Sequence, residues 1–265
     1  MSSPHARDID EMLRLGMQAT AQGKSAQAVA IYREILERDE KHVTARNNLG
    51  CLLLKSGRIQ EALATLGTER HSITDPAILN SLGYALMQAG QPTEAEQMFR
   101  RALASDPEDG GARNNLGMAL LKVGRIAEAI LEHQRVIRER PQSVESFINL
   151  GCAYMKAVDL ENARSAFESA LRIDPYSVDA HNNLGCCLRE LGELEKSIEE
   201  LTLAAGLEPQ NPSIQLNLCL AFQRNHEHAK ALSHLKRHLS YVPNAQDASL
   251  THLLAELEHL AAKER

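Results

Sequence analysis

The hexapeptide ARNNLG at residues 45–50 returns as ARNNLG at 112–117 and as AHNNLG at 180–185. Six glycines stand at intervals of 34, 33, 34, 34 and 34 residues, namely Gly16, Gly50, Gly83, Gly117, Gly151 and Gly185. Cys219 follows the last of them after another 34 residues. A fixed period of this length is the signature of a stacked array, in which each repeat is one supersecondary unit.

Each repeat has the pattern of two helices when its small residue, glycine or Cys219, is numbered position 8. Position 7 is then leucine in all seven repeats: Leu15, Leu49, Leu82, Leu116, Leu150, Leu184 and Leu218. Apolar residues at positions 7, 10, 11 and 14 have helical spacing, and glycine at position 15 in five repeats predicts a left-handed helix end. A second helix is predicted over positions 17–30, with a small residue at position 20 that crosses close to position 8. Proline at position 32 in repeats three to seven ends it.

This succession of Leu-Gly, Ala, aromatic and Pro resembles the tetratricopeptide repeat (TPR) family over residues 9–243, although the family's tryptophan is not kept. The resemblance implies an all-α, right-handed TPR superhelix, an α-solenoid of about seven helix-turn-helix repeats whose neighbours stack to bury a continuous core. The expected parts are a flexible segment (1–8), seven units (9–42, 43–75, 76–109, 110–143, 144–177, 178–211 and 212–243) and a C-terminal capping helix (244–265).

The second repeat departs from the pattern because it is one residue short and places Gly67 where a helix former is expected. We predict a shortened or irregular second helix at this point. Asp75 and Pro76 suit the N-cap and the first helical position of the next repeat.

Composition and charge exclude several classes of function. The net charge of −6 argues against nucleic-acid binding, which requires concentrated positive charge. No apolar run approaches the length needed for membrane insertion, and the N-terminal MSSPHARDID lacks the apolar core of a signal peptide. Five cysteines, an odd number, fit a reducing compartment. The expected location is therefore cytoplasmic.

Asparagines fill a second stripe on the first helix of each repeat, opposite the buried one. Position 6 carries Asn48, Asn115, Asn149, Asn183 and Asn217, and position 5 carries Asn47, Asn80, Asn114 and Asn182. In the TPR family this stripe lines the concave groove. Because asparagine offers both a donor and an acceptor, such a row predicts a ladder that binds the backbone of an extended peptide. It resembles the asparagine ladder in the TPR superhelix of the protein O-linked N-acetylglucosamine transferases. The alternative is that these amides bond a neighbouring helix.

Other positions of the stripe indicate what a partner would present. Position 9 supplies a soft apolar floor that includes Tyr84, Met118 and Cys152. Position 13 supplies Lys122 and Lys156, with Arg224 further along, which would attract acidic groups. The basic positions by which other family members grip an acidic chaperone tail are not kept here, so that role is rejected.

No pattern of catalytic residues was found. Cys152 and Cys186 lie in adjacent repeats, where helix packing holds equivalent positions farther apart than a disulfide allows. His234 and His238 share a helical face, but no third ligand completes a metal motif. The chain also has no phosphate loop, dinucleotide fingerprint or nucleophile elbow. We therefore predict no enzyme activity, no cofactor and no metal site.

The sequence thus predicts a protein–protein interaction adaptor that holds an extended peptide or helix of a protein partner in the TPR groove. Two alternatives stay open. One is a self-assembling scaffold, and hence a homo-oligomer. The other is a non-catalytic TPR subunit of a glycosyltransferase or of a secretion or pilus machine.

Overall fold

The computed structural model of the protein describes residues 4–67, 73–242 and 248–263. Across these residues the regular structure consists of fifteen helices and no strand, so the predicted all-α class is confirmed. In chain order the helices are α1 (Pro4–Ala21), α2 (Ser25–Arg38), α3 (Val43–Lys55), α4 (Ile59–Leu66), α5 (Pro76–Gln88), α6 (Pro92–Ser105), α7 (Gly110–Val123), α8 (Ile126–Glu139), α9 (Val144–Lys156), α10 (Leu160–Ile173), α11 (Val178–Leu191), α12 (Leu194–Leu207), α13 (Pro212–Arg224), α14 (His228–Tyr241) and α15 (Ala248–Lys263).

The chain divides into two compact units, Met1–Glu132 and His133–Arg265. Within the first unit each helix from α1 to α7 packs on the next, and α5 also packs on both α3 and α7. Within the second unit each helix from α9 to α15 packs on the next, and α11 also packs on both α9 and α13. In the first unit, we call the solvent-facing surface of α3, α5 and α7 the first-helix face. In the second unit, the first-helix face is the solvent-facing surface of α9, α11 and α13.

The turn between paired helices needs a left-handed residue. The five glycines at position 15 have φ values between 71° and 88°, as predicted: Gly23, Gly57, Gly90, Gly124 and Gly192. Two repeats make the same turn without glycine, at Val158 (φ 58°) and His226 (φ 59°). A β-branched residue in this region is strained, so the repeat geometry prevails over local preference at Val158.

The glycine at position 8 makes room for the large residue at position 24. A Cβ on Gly83 would lie 2.5 Å from Phe99 Cε1, and one on Gly151 would lie 2.4 Å from Phe167 Cε1. Position 20 also lies close to position 8, as predicted. In the sixth repeat the Ser197 hydroxyl donates to the Gly185 carbonyl at 2.7 Å. The closer contact of position 24 was not predicted from the sequence. Glycine is therefore required at Gly83 and Gly151 for core packing.

The irregular second repeat has the shortened helix that was predicted. Helix α4 has 8 residues and its C-cap is Gly67, whereas α2 has 14 residues. Asp75 caps α5 by accepting from the Ile78 amide at 3.0 Å, and Pro76 is its first residue. The intervening residues 68–72 lie outside the described residues.

The two ends of the chain are only partly described. Helix α1 begins at Pro4, inside the segment 1–8 that was predicted to be flexible, while residues 1–3 lie outside the described residues. At the other end α15 packs on α14, and its Leu257 is fully buried. Residues 243–247 and 264–265 of the expected last unit and cap also lie outside the described residues. The seven repeat boundaries stay a prediction.

Candidate functional site

Asparagine side chains join consecutive first helices on the first-helix face. In the first unit Asn115 Nδ2 donates to Asn80 Oδ1 at 2.9 Å, between α7 and α5. In the second unit Asn217 Nδ2 donates to Asn182 Oδ1 at 2.8 Å, between α13 and α11. Both bonds run from position 6 of one repeat to position 5 of the preceding repeat. The alternative left open by the sequence, an amide that bonds a neighbouring helix, therefore describes these two pairs.

The other asparagines of the stripe are not equivalent to one another. Asn48 Nδ2 donates to the Tyr32 hydroxyl at 3.4 Å, and Asn114 is buried at 8% exposure. In the described part of the chain, Asn47 Oδ1 and Asn149 Nδ2 are buried without a hydrogen-bond partner. Asn183 is half-buried. The stripe is thus a set of different local environments and not a uniform row.

A cavity of about 210 Å³ opens on the first-helix face of the first unit, between α5 and α7. Its lining is Tyr84, Met87, Gln88, Phe99, Asn115, Met118 and Lys122. Four of these residues were predicted from the sequence as binding residues: Tyr84, Asn115, Met118 and Lys122. The other three were not predicted. Of these, Met87 and Gln88 stand at positions 12 and 13 of the repeat, on the same helical stripe, and could have been included on that ground.

The cavity has an apolar interior and a polar rim. The Phe99 ring is fully buried, while Tyr84 and Met118 are 42% and 39% exposed, although both are large and mostly apolar. Lys122 is exposed beside them. A cavity of this size is smaller than typical small-molecule pockets, which run from about 300 to 1,000 Å³. It therefore suits a single side chain of a larger partner.

A second, more open cavity of about 460 Å³ lies on the first-helix face of the second unit. Arg189 and Glu190 of α11 and Leu220, Gln223 and Arg224 of α13 line it. Only Arg224 was singled out from the sequence. Arg189 and Glu190 could have been found by extending the search for charges to positions 12 and 13 in every repeat.

Glu190 bridges the two arginines of this cavity. Its carboxylate accepts from Arg189 Nε at 3.2 Å and from Arg224 at 3.3 Å. Partial burial alone would raise the pKa of Glu190, but the hydrogen bonds from both arginines outweigh it and hold that pKa below its ordinary value. Arg189 Nη1 is buried and has no hydrogen-bond partner among the described residues. The residues that line the cavity therefore include a guanidinium whose buried donor is unfilled, which is energetically unfavourable.

Cys152 and Lys156, which were also predicted to line the groove, lie on α9 of the second unit. Cys152 is half-buried, and burial together with nearby Asp179 and Cys186 raises its pKa to about 11. The thiol is consequently neutral and acts as a small apolar surface. Lys156 is exposed at the end of the helix. Neither residue lines the cavity between α11 and α13.

All five cysteines are free thiols, and the two neighbouring histidines of α14 bond different partners. His234 Nδ1 pairs with Gln215 Oε1 at 2.8 Å, whereas His238 Nδ1 pairs with the Pro212 carbonyl at 2.8 Å. The two rings therefore have separate partners. The part of the chain that the structure describes contains no group of three or more metal-ligating side chains. None of the helices described there is long and apolar enough to cross a membrane.

Solved structures of TPR proteins are among those that share this architecture. A TPR protein from Parabacteroides merdae ATCC 43184 is 13% identical over 95% of this chain and 99% of its own, with a TM-score of 0.76. TTC0263, a TPR protein from the thermophile Thermus thermophilus, is 25% identical over 69% of this chain and 98% of its own, with a TM-score of 0.61. YrrB, described as a TPR protein with an unusual peptide-binding site, is 22% identical over 69% of this chain and 95% of its own, with a TM-score of 0.52.

Sequence profiles extend the likeness along the chain. A search of the curated proteins found no match. Profiles of the tetratricopeptide repeat match residues 19–78, 80–144 and 148–212, which is well over half of the sequence. The chain belongs to the tetratricopeptide repeat family.

Proposed function

We propose that this protein is a non-catalytic adaptor that binds an extended segment of a protein partner on its first-helix face. TPR proteins bind protein partners in general, and the observation that carries the specific proposal is the cavity between α5 and α7. There, residues of two neighbouring repeats surround a space that suits one apolar side chain. The exposed apolar surface of Tyr84 and Met118 is what such a side chain would cover.

The asparagine pair beside the cavity supplies the polar part of the recognition. Because Asn115 Nδ2 is bonded to Asn80 Oδ1, the pair retains Asn115 Oδ1 as an acceptor and Asn80 Nδ2 as a donor. A peptide backbone needs one of each per residue. The ladder is therefore proposed as a set of asparagine pairs, each held in place by its own internal bond.

Lys122 extends the recognition to the rim. Its ammonium group is exposed beside Met118 on the next turn of α7. A rim charge of this kind changes association rate and salt dependence more than affinity. We therefore expect the partner to place an acidic group next to the apolar side chain that enters the cavity.

The test begins with a peptide selected from a random linear library on the wild-type protein, with its affinity measured by fluorescence anisotropy. Replacement of Tyr84 and Met118 together by alanine should weaken binding by about tenfold or more, as expected for central apolar contacts. Leu131→Ala removes a comparable apolar side chain, 54% exposed on α8, away from the cavity, and should leave the affinity unchanged. Circular dichroism checks that each variant is folded. Equal binding to the double variant and to wild type would place peptide recognition on another surface and overturn the proposal.

A further inference from the structure

The cavity of the second unit contains an unusual arrangement of charge. Two cations, Arg189 and Arg224, share one anion, Glu190, so the three side chains together carry a net charge of +1. Arg189 is only 15% exposed, and it donates to Glu190 through Nε. Its buried Nη1 lacks a partner in the described part of the chain. A buried donor of a cation that lacks a partner costs more than one of a neutral group, and the Arg189 side chain that carries it forms part of the wall of an open cavity.

We propose that this cavity binds one carboxylate of the protein partner, with Arg189 as the principal contact and Arg224 as the second. A guanidinium presents parallel N–H donors that match the two oxygens of a carboxylate. One monovalent carboxylate neutralises the net charge of the site, whereas a doubly charged phosphate would be left in excess beside Glu190. This proposal rests on the proposed function of the first-helix face and defines the chemistry of the partner there.

In the free protein Glu190 pairs with the two arginines that would bind the partner's carboxylate. It occupies donors of both arginines and is 42% exposed, so it is able to turn toward solvent when another carboxylate arrives. It also competes with the ligand, because two carboxylates beside the same cations repel each other. Leu220, half-buried in the same lining, provides an apolar contact for the stem of an acidic side chain or for the residue next to a chain terminus.

The experiment follows the Arg189 Nε–Hε signal by nuclear magnetic resonance during titration with short probe peptides. The probes are N-acetylated, C-amidated Leu-Glu-Leu, its neutral counterpart Leu-Gln-Leu, and Leu-Gln-Leu with a free C-terminal carboxylate. A saturable shift with a carboxylate-bearing probe and none with the neutral peptide is expected. A response to the glutamate peptide identifies a side-chain carboxylate, and a response to the free-acid peptide identifies a chain terminus. Equal responses to charged and neutral peptides, or no response to any of them, would overturn the proposal.

Variants separate this role from a structural one. Arg224→Gln alters the 51% exposed cation and should weaken binding by about tenfold. Arg189→Gln should abolish it. Glu190→Gln removes the internal competitor and should tighten binding several-fold, a gain that a purely structural glutamate would not produce. Lys196→Gln, a 68% exposed cation on α12, is the matched control and should have no effect. Unchanged binding in folded Arg224→Gln and Arg189→Gln proteins would contradict the proposal.

The two binding proposals fail in distinguishable ways. If the Arg189 and Arg224 variants bind normally but the Tyr84 and Met118 double variant loses the library peptide, the first-helix face is a binding surface without a carboxylate site. If the library peptide binds every variant equally, the proposed function itself is wrong.

Discussion

Asn115 donates its side-chain amide to Asn80 Oδ1 at 2.9 Å and so links α7 to α5 across the repeat interface. We expect Asn115→Ala and Asn80→Ala each to lower the free energy of unfolding by about 1 kcal/mol, the usual contribution of one partly buried hydrogen bond. The double variant should cost less than the sum of the two, with a coupling of about 0.5 kcal/mol or more. Urea unfolding followed by circular dichroism measures all four proteins. Strict additivity would show that the bond contributes nothing to stability.

Gly83 should not tolerate a methyl group. A Cβ there would lie 2.5 Å from the buried Phe99 ring, so Gly83→Ala should destabilise the protein by about 1–3 kcal/mol through overpacking. Gly206 is the matched control, since it lies within α12 with no atom within 4 Å of a Cβ. Gly206→Ala should instead stabilise by about 0.5–1 kcal/mol because alanine loses less backbone entropy in a helix. Thermal unfolding of both variants checks the opposite signs, and a stabilised Gly83→Ala would contradict the close packing of Gly83 on Phe99.

The backbone at Val158 is strained, and a substitution can relieve this strain. It adopts φ 58° while 77% of its surface is exposed, so replacing it removes little packing. We expect Val158→Gly to raise the free energy of unfolding by about 1 kcal/mol, the penalty of a left-handed residue with a Cβ. The reciprocal change, Gly124→Val at φ 88°, should lower it by a similar amount. Urea unfolding of the pair provides the measurement, and a loss of stability in Val158→Gly would refute the strain argument.

His133 should make the protein acid-sensitive. It is fully buried at position 24, where Phe99 and Phe167 stand in their repeats, and burial lowers its pKa from the ordinary 6.5 to about 4. Because the unfolded chain binds the proton more tightly, its contribution to stability is intact above pH 6.5 and falls as the pH drops toward 4. The expected loss is roughly 2 kcal/mol by pH 5.

His133→Phe should remove that part of the pH dependence, as measured by urea unfolding at pH 7 and pH 5. Burial also lowers the pKa of His234, so this residue serves as the control. His234→Gln should remove a separate and smaller part of the pH dependence. An identical loss of stability on acidification in wild type and His133→Phe would show that other groups are responsible.

Much of the fold could be predicted from the residues because the responsible interactions are local. The glycine at position 15 specifies a left-handed turn, and Asp75 and Pro76 specify a helix start, through dihedral preferences and hydrogen bonds that span only a few residues. The candidate site was predicted in part for the same reason. Tyr84, Asn115, Met118 and Lys122 share a helical stripe, and the stripe alone places them on one face.

Interactions between repeats were not predictable, because different residue types make the same contact. At position 4, Arg113 donates to the Pro107 carbonyl, His181 Nε2 pairs with the Pro175 carbonyl at 3.0 Å, and Gln215 Nε2 donates to the Pro209 carbonyl at 3.0 Å. These three side chains share no chemistry beyond a nitrogen at the right reach. Their common role appears only when the preceding turn is brought over the helix.

The sequence by itself determined the helix pairs, their turns and the face on which polar residues gather, since a period of 34 residues and local dihedral preferences are sufficient for these. Only the tertiary structure decided which asparagines pair, that Phe99 forms part of the α5–α7 cavity, and that the Nη1 donor of Arg189 is buried without a partner among the described residues. The physical reason is distance. Hydrogen bonds and cavities between repeats depend on sub-ångström separations between helices about 34 residues apart in the chain, and no local pattern encodes them.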